Sequence, residues 1–399
     1  MTVVRRMLGV VVVALATTAC GGGGGGAPDG PAVDAFPTAP HTPYPQVPDL
    51  GGPRLAHPQL ITVTFANDPR AAAFEAYAQW LVGSSWLTTV GADYGVGAGN
   101  VAGVAHRPET PLATLTSADI ETYLADGITD GSIPRPAAPA TLADALYIVY
   151  YPSTTSITTT FVNGIMKSSC VDFGGYHGEV HHAGLDFAYS AIPDCGGNLQ
   201  GLTADETTEM IVSHEVIEAA TDAAPISAPA WQLRPGQADP WFRVFEFEVE
   251  VGDLCEAPSR YTREAGHVAQ RSWSNSAAAA GGEPCVPIDP ALPAFGVTVT
   301  PAGTQQIARG ASLDFTLTGW ATGEVPDWRM TTQIPTNTGT FSTLTKVGFG
   351  TPMINNGRTT TVTVTIPAGA AAGSHASIFL FSSHNTGDAT MWPLAIDVQ

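Results

Sequence analysis

His214 and Glu218 stand four residues apart in Thr203-Ala-Asp-Glu-Thr-Thr-Glu-Met-Ile-Val-Ser-His-Glu-Val-Ile-Glu-Ala-Ala-Thr-Asp222, and Glu215 follows the histidine directly. On a helix, positions i and i+4 project from one face, so an imidazole and a carboxylate meet there with a second carboxylate beside them. Two ligands one turn apart can hold a divalent ion, and the Glu after the first ligand can take a proton from water on that ion. Glu218 replaces the second His of the usual H-E-x-x-H pattern. Its negative charge lowers the Lewis acidity of a bound ion, so weaker water activation is expected than with two imidazoles. A third ligand must come from elsewhere, and the turn Glu250-Val-Gly-Asp253-Leu-Cys255 offers Asp253 or Glu250.

The helix that carries these groups is well specified. Thr203 followed three residues later by Glu206 is a capping box, and Asp205 and Glu206 complement the positive end of the helix dipole. Pro225 lies beyond its end. A second grouping is His177, Glu179 and His181, whose two-residue spacing puts them on one face of a strand. An exposed polar face is the expected reading of that alternation. His177, beside the turn at Gly174-Gly175, is retained as a candidate polariser of a substrate carbonyl.

The elements around these groups alternate. Gln59–Phe65 reads as a β-branched strand, Arg70–Val82 as a helix with Phe74, Tyr77 and Leu81 on one side, and Val101–His106 as a strand. A short helix over Ser117–Ala125, capped by Ser117, and the apolar strand Ala145–Tyr151 follow. Ala183-Gly184 then joins two strands into a hairpin. In Trp241–Val251, alternation turns Phe245, Phe247, Val249 and Val251 inward and Glu246, Glu248 and Glu250 outward. Strand–helix order gives an α/β unit over residues 55–290.

From Phe295 onward the four Lys/Arg nearly balance the five Asp/Glu, so the net charge of −20 belongs almost wholly to the earlier residues. A composition break near Pro293 therefore separates a second unit, 294–399. Its short Thr/Val strands at Phe295–Thr300, Ser312–Thr318, Thr359–Ile366, His375–Ser382 and Trp392–Val398 fit an all-β Ig-like sandwich, a candidate module for binding surface glycan or protein. His375 and His384 are expected on its surface. The acidic charge argues against nucleic acid as a partner.

The N-terminus, residues 1–20, reads as a secretory signal: Arg5-Arg6, an apolar run Met7–Ala16, then Thr17-Thr-Ala-Cys20. Cys20 after a small residue is similar to a bacterial lipobox, with Thr17 where Leu is usual. A lipidated Cys20 would anchor the chain to the bacterial cell envelope; without lipidation the chain is secreted. Residues 21–54, Gly-rich and then Pro-rich, read as a flexible tether. Setting Cys20 aside leaves four cysteines for an oxidising compartment. The pairings nearest in sequence are Cys170–Cys195 and Cys255–Cys285, with two other connectivities formally open.

Ser213-His-Glu-Val-Ile-Glu-Ala-Ala-Thr-Asp222 together with Glu250-Val-Gly-Asp-Leu-Cys255 resembles bacterial extracellular proteins that carry an S-H-E-x-x-E-x-x-T-D helix and an E-x-x-D-x-C turn. That group is distantly similar to the plant Exordium-like, phosphate-induced proteins. The likeness also touches Gly174–His177, Leu146–Pro152 and Ile61–Phe65, and covers roughly residues 59–286. It implies a zincin-like mixed sheet with an active-site helix and a zinc metallopeptidase site acting on a peptide or protein. His214 and Glu218 would be ligands, Glu215 the base, and the third ligand stays open. The expected function is a zinc-dependent hydrolase; the alternative is a non-catalytic surface-binding or adhesion protein on a degenerate zincin-like domain.

Overall fold

In the computed structural model of the chain, the described residues are 36–160, 166–182, 184–197, 199, 201–234, 249–256, 261–289, 291–333, 346–385 and 388–399. Residues 1–20, expected to be a secretory signal ending at Cys20, and Phe245, Glu246, Phe247 and Glu248 lie outside them.

The first half builds on five strands: β1 (Gln59–Phe65), β2 (Asn100–Arg107), β3 (Ala145–Tyr151), β4 (Tyr176–His182) and β5 (Leu185–Pro193). Their spatial order is β2-β1-β3-β5-β4; the first four run parallel and β4 pairs antiparallel at the edge. β1 and β3 are apolar along their length because both faces are covered. Leu60, Leu146, Ile148 and Tyr150 face one side, while Ile61, Val63, Tyr147, Val149 and Tyr151 face the other. Helices α1 (Ala71–Gly83) and α3 (Ala204–Thr221) cover the first side through Phe74, Leu81, Val212, Val216 and Ile217. Helix α2 (Ser117–Asp130) covers the second through Ile120, Leu124 and Ile128.

The expected β1, β3 and β4–β5 hairpin stand where the residue pattern puts them. Helix α2 differs in two respects. Thr116, not Ser117, is its cap: the Thr116 hydroxyl accepts from the Asp119 N–H, and the Asp119 carboxylate accepts from the Thr116 N–H. The helix also runs on to Asp130, because Gly127 is small enough to sit against Ile133 and Gly131 then ends it at φ 81°.

The last quarter forms two sheets, ordered Phe295–Thr300, Ser312–Ala321, Thr359–Thr365, Lys346–Phe349 and Gln305–Ile307, Asp388–Val398, His375–Asn385, Trp328–Gln333, Met353–Ile354. Phe295 of the first meets Trp328 of the second with ring centroids 5.1 Å apart. The chain is thus a mixed α/β unit followed by a mostly antiparallel β unit.

The Pro-rich segment expected to be flexible as far as Pro53 is instead packed from residue 37 on. Ala39, Tyr44, Val47 and Leu55 are buried. Val47 exchanges backbone bonds of 2.8 Å with the Asn275 amide, and the Asn356 amide holds Ala39 and Pro37 in the β unit. His41 stacks on Trp320 at 4.6 Å, and Tyr44 meets both Trp320 and Trp273 edge-on. Rings and paired backbone supply the apolar area and hydrogen bonds that composition alone hid. Trp320 shares one core cluster with α1 and α3, and residues 37–399 form one compact unit.

Both nearest-neighbour disulfides are formed, Cys170–Cys195 and Cys255–Cys285. Two such bonds are consistent with an oxidising, extracellular environment. No helix among the described residues is long and apolar enough to cross a membrane.

Candidate metal centre

Helix α3 begins with the expected capping box: Thr203 Oγ1 accepts from the Glu206 N–H and Glu206 accepts from the Thr203 N–H. From Met210 onward it is buried on nearly every side, lying between the sheet and the strand His267–Gln270. Placing ionisable groups on such a helix is costly unless they are compensated. His214, Glu215 and Glu218 sit on this stretch, and their compensation comes from three separate parts of the chain.

The turn after Val249 supplies the first. Val249 bridges to Leu233 through backbone bonds of 2.8 and 2.9 Å, and Val251 is fully buried, as the alternation requires. Glu250 departs from that alternation: it is buried rather than outward, because the chain turns at once into the short 3-10 helix Asp253–Cys255 beneath α3. Cys255–Cys285 and the bond from the Trp273 N–H to Val251 O (2.9 Å) hold this turn. Strand β4 supplies the second. His177 points from the sheet edge onto α3 with its side chain 5% exposed, so it does not belong to a solvated face as expected. Glu179 and His181, two and four residues on, bind Ser227 and Asp186 at the rim and do not join it.

The third is Gln270, which spacing gives no means of finding. His214 Nδ1 lies 3.1 Å from Gln270 Oε1, and the Gln270 amide donates to Gly252 O at 2.8 Å, which fixes the amide so that Nδ1–H is the donor. His214 Nε2 is thereby the ring nitrogen turned toward the carboxyl groups of Glu218 and Asp253. Glu218 repeats the arrangement, since Oε1 accepts from the Asp253 N–H at 3.1 Å and Oε2 faces Nε2 at 3.2 Å. Asp253 does so again: Oδ2 accepts from the Glu250 N–H at 3.0 Å, and Oδ1 stands 3.8 Å from Nε2. Each of the three residues has one polar atom tied down and one directed at a shared point. An ion bound tetrahedrally at ~2.0–2.2 Å would separate its ligands by roughly 3.3–3.6 Å. The separations of 3.2 and 3.8 Å bracket that edge length.

His177, Glu218 and Glu250 form an adjoining group that uses the same Glu218. His177 Nε2 is 3.5 Å from Glu250 Oε1, and Nδ1 is 3.6 Å from Glu218 Oε2 and 3.7 Å from Glu215 Oε2. Both candidate third ligands, Asp253 and Glu250, are therefore beside α3, one in each group. Exposure grades across the site: Glu215 and Glu218 side chains are 5% exposed, His214 15% and Asp253 31%. The His214–Asp253 side faces solvent, where a water and a substrate can enter.

Electrostatics follow from burial and crowding. Burial, followed by the charge of Glu218, pushes the Asp253 carboxyl up to about 8. Burial also raises Glu250 well above the carboxylate range, raises Glu215, and lifts Asp222 to about 6. For Glu218 burial acts in the same direction, but His214 and His177 outweigh it and hold the group at about 2. Burial by itself would lower both imidazoles. Glu218 and then Glu215 and Asp253 reverse this for His214, and Glu250, Glu215 and Glu218 reverse it for His177, so both stand well above the usual value. Among the described residues no Lys or Arg pairs with these carboxylates. The donor set, two imidazoles among mutually repelling carboxylates, suits a divalent cation.

Two glycines admit the backbone. A Cβ on Gly252 would lie 2.7 Å from Glu218 Oε1 and 2.9 Å from His214 Nδ1, and one on Gly175 would lie 2.9 Å from Glu215 Oε1.

No family model matches the chain. No curated protein matches it. Among solved structures, a nucleoside hydrolase-related hypothetical protein from Saccharophagus degradans associated with carbohydrate metabolism is similar over 27% of this chain and 25% of its own, at 13% identity and TM-score 0.18. The BIgI domain of the beta protein from S. agalactiae, bound to CEACAM1, is similar over 27% of this chain and 97% of that domain, at 16% identity and TM-score 0.19. A family 123 glycoside hydrolase from Clostridium perfringens is similar over 26% of this chain and 27% of its own, at 10% identity and TM-score 0.19. The chain spans about a quarter of the first of these. At such scores the likenesses carry no argument.

Proposed function

We propose that this chain is a secreted or envelope-tethered metal-dependent hydrolase, a zinc metallopeptidase on a zincin-like α/β unit with an Ig-like β unit attached. The observation that carries this reading is the arrangement of His214, Glu218 and Asp253, each with one donor atom held and the other directed at a common point. Zn²⁺ fits that donor set, and when bound there it supplies a Lewis acid and a water acidified toward neutral pH. Resemblance of the Ser213–Asp222 helix and Glu250–Cys255 turn to extracellular zincin-like proteins supports the same assignment.

The chain's own residues divide the remaining work. Gln270 orients His214 and fixes its tautomer. Glu215 is the general base; burial raises its pKa, so it can accept a proton from water and hand it on to a leaving amine. His177, 3.7 Å from Glu215 Oε2, steadies that carboxylate in its ionised form. Glu218 would hold the ion in place of a second imidazole, and its negative charge would lower the Lewis acidity available there, so turnover slower than with a two-histidine helix is expected. Cys20 is proposed as the lipidated first residue that attaches the chain to the envelope, without a membrane span.

Elemental analysis of native and His214→Ala protein tests the metal: about one equivalent or more of zinc in the first and less in the second is expected. Near-zero zinc in both removes the mechanism. Digestion of a peptide library tests the chemistry. Cleavage that chelators stop and Glu215→Gln abolishes, with zinc retained, is the expected outcome. Zinc bound without cleavage favours the rival reading, a surface protein that binds glycan or protein through its β unit.

A further inference from the structure

We propose that the centre holds two divalent cations, the second on His177, Glu250 and a shared Glu218. This rests on the metal-dependent reading of His214, Glu218 and Asp253 and adds a neighbouring site to it. The two donor sets are distinct: His214, Glu218 and Asp253 lie within 4.8 Å of one another, as do His177, Glu218 and Glu250, with Glu218 the member in common.

His177 carries the argument. Its side chain is 5% exposed, and Nε2 is buried without a hydrogen-bond partner. Glu250 Oε1, which it faces at 3.5 Å, is buried and unpartnered as well. Buried polar atoms normally find a partner, and two that face one another at more than hydrogen-bonding distance mark a missing third body. Their separation suits two ligands of one ion, being close to the roughly 3.3–3.6 Å edge of a tetrahedral site. A water in that position would leave the four carboxyl groups of Glu215, Glu218, Glu250 and Asp253 crowded around two imidazoles, with no lysine or arginine paired to them among the described residues. Two dications would bring these carboxyl groups to their ionised form and both imidazoles to the neutral form that donates a lone pair, because ligands bind a metal deprotonated. A carboxylate shared between ions roughly 3.5–4 Å apart is the arrangement of two-metal hydrolases, in which both ions face the attacking and departing atoms. Imidazole with carboxylate takes Zn²⁺, Co²⁺ or Mn²⁺, and excludes the all-oxygen preference of Ca²⁺.

The full secreted chain, stripped with a chelator and reloaded with Zn²⁺ or Co²⁺, tests this by metal content after desalting and by the magnetic resonance of the Co²⁺ form. Two ions per chain and a spin-coupled Co²⁺ pair are expected for the native protein. Glu250→Gln, nearly isosteric, is expected to hold one ion and an uncoupled signal, and His177→Ala the same. One ion in the native protein at saturating metal, unchanged by Glu250→Gln and lost in His214→Ala, overturns the second site and leaves the proposed hydrolase standing. No ion in the native protein overturns both. The native stoichiometry and coupling decide the matter even if a variant fails to fold.

Discussion

Gly252 packs directly against Glu218 and His214, the proposed ligands, and it shows how little room the site leaves. Glu218 Oε1 cannot retreat from an added Cβ at 2.7 Å without giving up the Asp253 N–H that orients it. Gly252→Ala is therefore expected to weaken metal binding by roughly 10–100-fold, the usual cost of disturbing groups that hold ligands. Gly83→Ala, where nothing lies within 4 Å of the added carbon, is the control and should bind as the native chain does. Competition titration against a chromogenic chelator measures both, and equal affinities would show that the turn is not what aims Glu218. At this scale the pattern of one atom tethered and one presented recurs in His214, Glu218 and Asp253, so the proposed ligands are held in place by the protein's own hydrogen bonds.

Among the elements, α3 has the most to hold in place. Its capping box and the Glu206–Arg263 pair anchor the end remote from Asp222. The Arg263 hydrogen bond, with the Thr203 backbone N–H, lowers the Glu206 pKa from 4.5 to about 2. A depressed carboxylate pKa stabilises the fold above the unfolded value, and that contribution is lost as pH falls through the folded value. The melting temperature of Glu206→Gln is thus expected to lie slightly below native at pH 6 and to meet it near pH 2; a gap that persists at pH 2 would assign the effect to something other than charge. The difference is expected to be small because the pair is solvent-exposed. The edge strand β4 does a different job: alternation along Tyr176–His182 buries Val180 against α2 and turns His177 to the opposite face, onto α3.

For the whole molecule, the segment 37–55 and Trp320 join the α/β and β units through one core. Trp320 is 4% exposed and is met by His41 and Tyr44. Trp320→Ala should cost about 3–5 kcal/mol, the range for emptying a buried aromatic site. Equilibrium denaturation checks it: a loss below ~1 kcal/mol would mean the two units are stable without this contact. Through this core the β unit packs as part of one compact unit with the α/β unit.

Sequence alone determined what is encoded within a turn or two of chain. The capping box, the i to i+4 placement of His214 and Glu218 and the apolar runs of β1 and β3 are read from adjacent residues, because helix and strand periodicity are local. The nearest-neighbour disulfides were legible for a similar reason, short loops between four thiols in an oxidising compartment. Tertiary structure alone decided the rest. Gln270 meets His214 across 56 residues, and the Asp253 N–H meets Glu218 across 35. His177 and Glu250 were legible as candidate site residues, but alternation turned both outward, and they are buried because an edge strand and a turn close over the same helix. Residues 37–54 looked unable to bury themselves, since composition counts the apolar groups a segment carries and not those its neighbours bring to it.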